Sequence, residues 1–189
     1  MGQGDDERRG ATRTRFLVMS DFEIENKVAK SGLNVIEMDE FVSDEALLQI
    51  DIKDQLWEGI ALKEKDFREY LSTHDWSQYQ DKAVAVFCSA DAIIPNWAFM
   101  LIASRLESFA SDIYFDTPAE AEKSHIEKAI DALDASEYED ARIIIKGCGK
   151  KSVHYSAYGK LTEKLMPVAK MIMFGEPCST VPIYKKKKA

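Results

Sequence analysis

"DKAVAVFCSADAIIPNWAFMLIASRLESFASDIYF", residues 81–115, decides the fold. Ala83 to Phe87 is a short, continuously apolar run bounded by polar residues, the pattern of a strand buried on both faces. Pro95 supplies a first helical turn. Asn96 to Phe109 then carries Trp97, Phe99, Met100, Leu101, Ile102 and Leu106, apolar nearly all round, so this helix is expected to be well covered. Ile113 to Phe115 is strand-like again. Strands joined through a helix of this length pair in parallel by a right-handed crossover.

Outward from residue 115 the alternation continues. Thr117 is a plausible N-cap for a helix whose Ile126, Ala129, Ile130 and Leu133 fall at i, i+3, i+4 and i+7. Arg142 to Ile145 reads as a strand, Ser156 to Met166 as a helix ending near Pro167, and Met171 to Phe174 as a further strand. The order β-α-β-α-β-α-β predicts an α/β protein: three layers, a mainly parallel sheet and flanking helices. Toward the N-terminus, Leu33 to Met38 and Ala46 to Ile52 look like strands, and Phe67, Tyr70 and Leu71 have helical spacing. This region reads as a small mixed part of the same domain, without an internal repeat between Ile24 and Gln80. Residues 1–20 are expected to be a disordered leader, 21–184 a single domain, and 185–189 a basic, solvated tail.

An apolar content of 46% suffices for a core, and 25 basic against 33 acidic residues give a net charge of −8. That charge disfavours nucleic acid and anionic membrane surfaces as partners. No apolar segment approaches the roughly 18 residues of a membrane span. Three cysteines, forming neither an even framework nor a Cys-x-x-Cys pair, point to a reducing, cytoplasmic location. No phosphate-binding loop is readable, so no nucleotide cofactor is expected.

The cysteines themselves fall suggestively. Cys88 follows AVAVF directly, Cys148 follows RIIIKG between Gly147 and Gly149, and Cys178 comes shortly after Phe174. Ligands of parallel sheets gather beyond the carboxyl ends of the strands, so all three thiols are expected on one edge. Lys146, Lys150 and Lys151 favour thiolate at Cys148. Three thiolates, with a fourth ligand from His154, His74, Asp91 or Glu176, would hold zinc, iron or an iron–sulfur cluster. Each candidate has a plainer role: cysteines fill cores, Asp91 can cap a helix, Glu176 can face solvent, His74 can bond backbone, and His125 reads as a surface residue. A second reading makes Cys148 a nucleophile with His154 as base and the amides of Gly149 and Lys150 as an oxyanion site. A third is a non-catalytic interaction module docking through Trp57, Trp76 and Tyr79.

The stretches "NKVAKSGL", "DIKDQLWEGIALKEKDFREYL", "HDWSQYQDKAVAVFCSADAIIPNWAFM", "IIIKGCGKK" and "IMFGEPCSTVPIYKK" resemble a bacterial family found mainly in Bacteroidetes, domain of unknown function 2480. The resemblance spans roughly Asp21 to Lys186 and takes in the three cysteines, His74 and Asp91. The family carries no established activity. The resemblance implies a role in iron–sulfur cluster biogenesis, with proteins of iron–sulfur assembly as partners.

Overall fold

A computed structural model of the chain describes residues 32–147 and 149–187. The leader of residues 1–20 and Cys148 lie outside them. The described elements run β1 (Leu33–Glu37), β2 (Leu48–Asp51), α1 (Glu64–Thr73), β3 (Ala83–Phe87), α2 (Asn96–Leu106), β4 (Asp112–Tyr114), α3 (Pro118–Ala132), β5 (Arg142–Lys146), α4 (Tyr155–Leu165), β6 (Met171–Glu176) and β7 (Ser179–Lys185). The fold is α/β, and every strand but β7 pairs in parallel. The strands make two sheets where the alternation suggested one: β1-β5-β6-β7 and β2-β3-β4. The two N-terminal strands divide between the sheets. Leu33 of β1 lies opposite Arg142 of β5, and Leu48 of β2 opposite Val84 of β3, so each completes a different sheet.

The two sheets are copies of one unit. Asp75-Trp76-Ser77-Gln78-Tyr79-Gln80-Asp81 recurs as Asp134-Ala135-Ser136-Glu137-Tyr138-Glu139-Asp140, an offset of 134 − 75 = 59 residues. The local structure recurs with it. The Asp75 carboxylate accepts from Ser77 N at 3.0 Å and Ser77 Oγ at 2.6 Å, and Asp134 does the same with Ser136 at 2.9 and 2.7 Å. Asp81 and Asp140 both sit at positive φ, 59° and 51°. Asp81 N donates to Phe109 O and Asp140 N to Val168 O, each at 2.9 Å or less. One unit is continuous, β2-α1-β3-α2-β4. The other is β1 plus everything from α3 onward, so the three-stranded half is inserted into the four-stranded half.

Each half builds its core from the same places. In the three-stranded half Val84 and Val86 face Phe67, Leu71, Ala98, Ile102 and Leu106 of α1 and α2. In the four-stranded half Ile143 and Ile145 face Ile126, Ile130, Ala157, Leu161 and Leu165 of α3 and α4. The residues of β3 and β5 that point the other way, Ala85 and Ile144, are 0% and 1% exposed. Burial on both faces is why these strands read as unbroken apolar runs rather than alternating ones. Helix α3 links the halves: Ile126 and Ile130 belong to its own core, while His125 and Lys128 reach Tyr114 and Asp112 of β4.

Candidate functional site

The loops beyond the central strands are pinned by carboxylates from the neighbouring edge strand or the turn that follows it. After β3, Ser89 donates to Asp51 through its amide at 3.0 Å and its hydroxyl at 2.6 Å. Burial pushes the Asp51 carboxyl up, but these bonds and those from Lys53 outweigh it and bring the pKa to about 2. After β5, Lys150 N donates to Asp39 at 2.7 Å. The loop closes so tightly there that a Cβ on Gly149 would fall on the Asp39 carboxylate. The two glycines around Cys148 therefore serve close approach: Gly149 backs onto Asp39, and a Cβ on Gly147 would meet the Phe174 ring at 2.9 Å. The backbone needs no left-handed turn at Gly147.

The expected thiol site divides between the halves. Cys88 ends the three-stranded sheet, half-buried, with its Sγ 3.6 Å from Ala90 O. Cys178 is exposed in the β6–β7 turn of the other sheet. Among the described residues no group of three or more His, Cys, Asp or Glu side chains is placed to hold a metal ion. His154 is the exposed N-cap of α4, accepting from Ser156 N at 3.3 Å, with its ring 4.0 Å from that of Tyr155. Asp91 is exposed ahead of α2, and Glu176 reaches the Lys146 ammonium at 3.5 Å. His74 closes α1 inside an aromatic cluster, its Nε2 3.0 Å from the Tyr79 hydroxyl, and burial holds its pKa below the ordinary histidine value. His125, read as a surface residue, is half-buried with its Nδ1 3.0 Å from the Tyr114 hydroxyl. It faces a cleft of about 310 Å³ that runs between α3 and residues 42–49.

The three expected docking aromatics separate as well. Trp76 and Tyr79 are core, 8% and 6% exposed, with the indole N–H bonded to Leu71 O at 2.9 Å. Trp57 is exposed beneath the Lys63 ammonium, 4.1 Å from the ring centre.

What the structure brings together instead is a pair of apolar grooves at equivalent places. In the four-stranded half, the outer face of α4 and the end of β6 enclose about 560 Å³ between Tyr155, Tyr158, Gly159, Thr162 and Phe174. In the three-stranded half, the outer face of α2 and the residue after β4 enclose about 420 Å³ between Asn96, Phe99, Met100, Ala103 and Phe115. Every one of the second set lies 59 residues before its counterpart in the first. The floor is the same aromatic pair, edge to face: Phe99–Phe115 at 5.9 Å and 83°, Tyr158–Phe174 at 5.9 Å and 82°. Helix α2 is thus not covered all round. Met100 is 71% exposed, and Tyr155 on α4 is 80% exposed. Apolar side chains opposite the buried Ala98-Ile102-Leu106 stripe were the available signal, and a stripe on both sides of a helix reads equally well as full burial.

The site and fold define a class: an α/β protein made of two interleaved copies of one β-α-β-α-β unit, each presenting an apolar groove on its second helix. The chain belongs to the family described as protein of unknown function (DUF2480), whose profile matches residues 22–186. No match was found among curated proteins or among solved structures. No helix among the described residues is long and apolar enough to cross a membrane.

Proposed function

We propose that this protein is a binding module that engages a protein partner through its two apolar grooves. The observation that carries this reading is the recurrence of the groove, with the same aromatic floor, in both copies of the unit. Large apolar side chains in contact with water cost roughly 25 cal/mol per Å², and contiguous exposed patches mark interaction sites. In the four-stranded half Tyr155, Phe174, Val181, Ile183 and Met166 are all 40% exposed or more. The grooves offer shape and apolar surface, and Glu163 is the one charged group among the described residues lining them. That chemistry suits recognition rather than bond making. The thiolate reading, and with it a partner from iron–sulfur assembly, stands on weaker ground, because the two described thiols belong to different sheets. Both thiols are unpaired, which suits a reducing compartment.

The test is site-specific photo-crosslinking in cells, with the photoreactive residue placed at Tyr155, at Met100 and, as a control, at Lys123. The reading expects one defined adduct from the groove positions and none from Lys123, followed by binding of the identified, purified partner that Tyr155→Glu weakens about tenfold. Equal labelling at all three positions would refute it.

A further inference from the structure

The two grooves differ in one respect: the first is flanked by an edge strand that supplies part of its wall, and the second is not. In the four-stranded half β7 lies antiparallel on the outer edge of β6, with Lys185 opposite Met171, Tyr184 opposite Ile172 and Val181 opposite Phe174. A bulge between Ile172 and Met173 turns Ile183 into the groove wall. The equivalent edge in the three-stranded half is that of β4, where Asp112, Ile113 and Phe115 stand in the places of Met171, Ile172 and Phe174. Among the described residues no strand covers it. The chain instead turns at Thr117-Pro118 into α3. An uncovered strand edge presents backbone N–H and C=O groups that invite another strand. Beside this edge Met100 is 71% and Phe115 47% exposed.

We propose that an extended segment of a partner protein adds to β4 as β7 adds to β6, antiparallel, with one or two apolar side chains seated over Met100 and Phe115. This rests on the groove reading and names the form of its occupant. The molecule carries its own template: a strand with the pattern Val181-Pro182-Ile183-Tyr184 flanks the equivalent groove and lines it with Ile183. Strand addition takes affinity from main-chain bonds and specificity from alternate side chains, and a proline on the outward edge is tolerated. Main-chain pairing continues past the end of β7, where Lys186 N donates to Lys170 O. Ser111 and Asp112 stand in the places of Lys170 and Met171, and the Asp112 carboxylate is already paired with Lys128, so the incoming segment is specified by its extended form and its apolar side chains rather than by charge.

The probe is a fluorescein-labelled peptide with the sequence of residues 179–187, STVPIYKKK, titrated into the full chain and read by anisotropy, with a scrambled peptide as control. The expected result is saturable binding that Met100→Glu and Phe115→Ala each weaken at least about tenfold and Tyr155→Glu leaves within about twofold. All three positions are exposed, so their variants keep the fold, as thermal unfolding would verify. Absence of binding, equal binding of the scrambled peptide, or insensitivity to Met100→Glu overturns the proposal. So does a concentration-dependent dimer that Met100→Glu dissociates without peptide binding, which would make a second copy the occupant. Failure here with the Tyr155 crosslink intact removes only the strand on β4; loss of both removes the groove reading.

Discussion

The two halves of this molecule solve the same packing problem at the same positions. Ala98, Ile102 and Leu106 of α2 occupy the places of Ala157, Leu161 and Leu165 of α4, and all six are 1% exposed or less. The hydrogen-bonded turns around the second helix of each half match, Ala98 N to Pro95 O with Ala157 N to His154 O and Ala110 N to Leu106 O with Ala169 N to Leu165 O. They diverge where they meet solvent: the four-stranded half adds β7, and the three-stranded half leaves its edge bare. The lesson is that the buried face of each helix is constrained by the sheet beneath it, since interiors are close-packed. The outer face carries no such constraint, so apolar residues retained there have another use.

The strongest test of that equivalence is in the cores. Ile102→Ala and Leu161→Ala each delete a buried side chain that is 0% exposed and are each expected to cost about 3 kcal/mol, by urea unfolding. Because α3 serves both halves, unfolding is expected to remain one transition in either variant. Two resolved transitions would separate the halves.

Next in size is Gly149→Ala, which would expel the Asp39 carboxylate from its bond to Lys150 N. The expected loss is about 2 kcal/mol. Its counterpart Ala90→Gly, where the loop already holds a Cβ, is expected to change stability by less than about 1 kcal/mol. Equal effects would show that the two loops are built alike.

The third test uses pH. Asp51 has a folded pKa of about 2 against an ordinary value of 3.8. The unfolded chain therefore binds the proton first. The Asp51–Ser89 bonds contribute fully above about pH 4 and are lost as pH falls toward 2. Asp51→Asn is expected to remove about 1 kcal/mol at neutral pH and to flatten the stability profile in that window, measured by thermal unfolding from pH 2 to 6. An unchanged profile would mean that the carboxylate does not hold the loop.

The smallest effect is stabilising. Asp81→Gly and Asp140→Gly relieve a left-handed backbone at matching positions, and each is expected to add about 0.5 kcal/mol. A gain in one half only would expose a difference that the backbone geometry hides.

Much of this architecture could be read along the chain. AVAVF and RIIIK were strands because both faces are buried, and Thr117-Pro118 marked the start of α3 through a cap and a first-turn proline, both present. The repeat was also written there, as Asp-x-Ser-x-Tyr-x-Asp at 75–81 and 134–140. Outside these markers the copies share mainly the rhythm of buried apolar residues, Phe67 answering Ile126 and Ile102 answering Leu161, so identity fades where packing allows substitution. The thiols were the weaker guide. Placing each just past a strand was sound for Cys88 and Cys178, but it presumed a single sheet.

Periodicity, caps and turn residues act within a few positions of one another, which is why the sequence alone determined which segments are strands and which are helices. The choice of partner is a different matter. Leu33 pairs with Arg142 across the inserted half, while Leu48 pairs with Val84. Nothing local distinguishes two short apolar strands that compete for two central ones. Only the assembled cores, each filling one sheet against its own pair of helices, decided that division, and with it which sheet each groove borders.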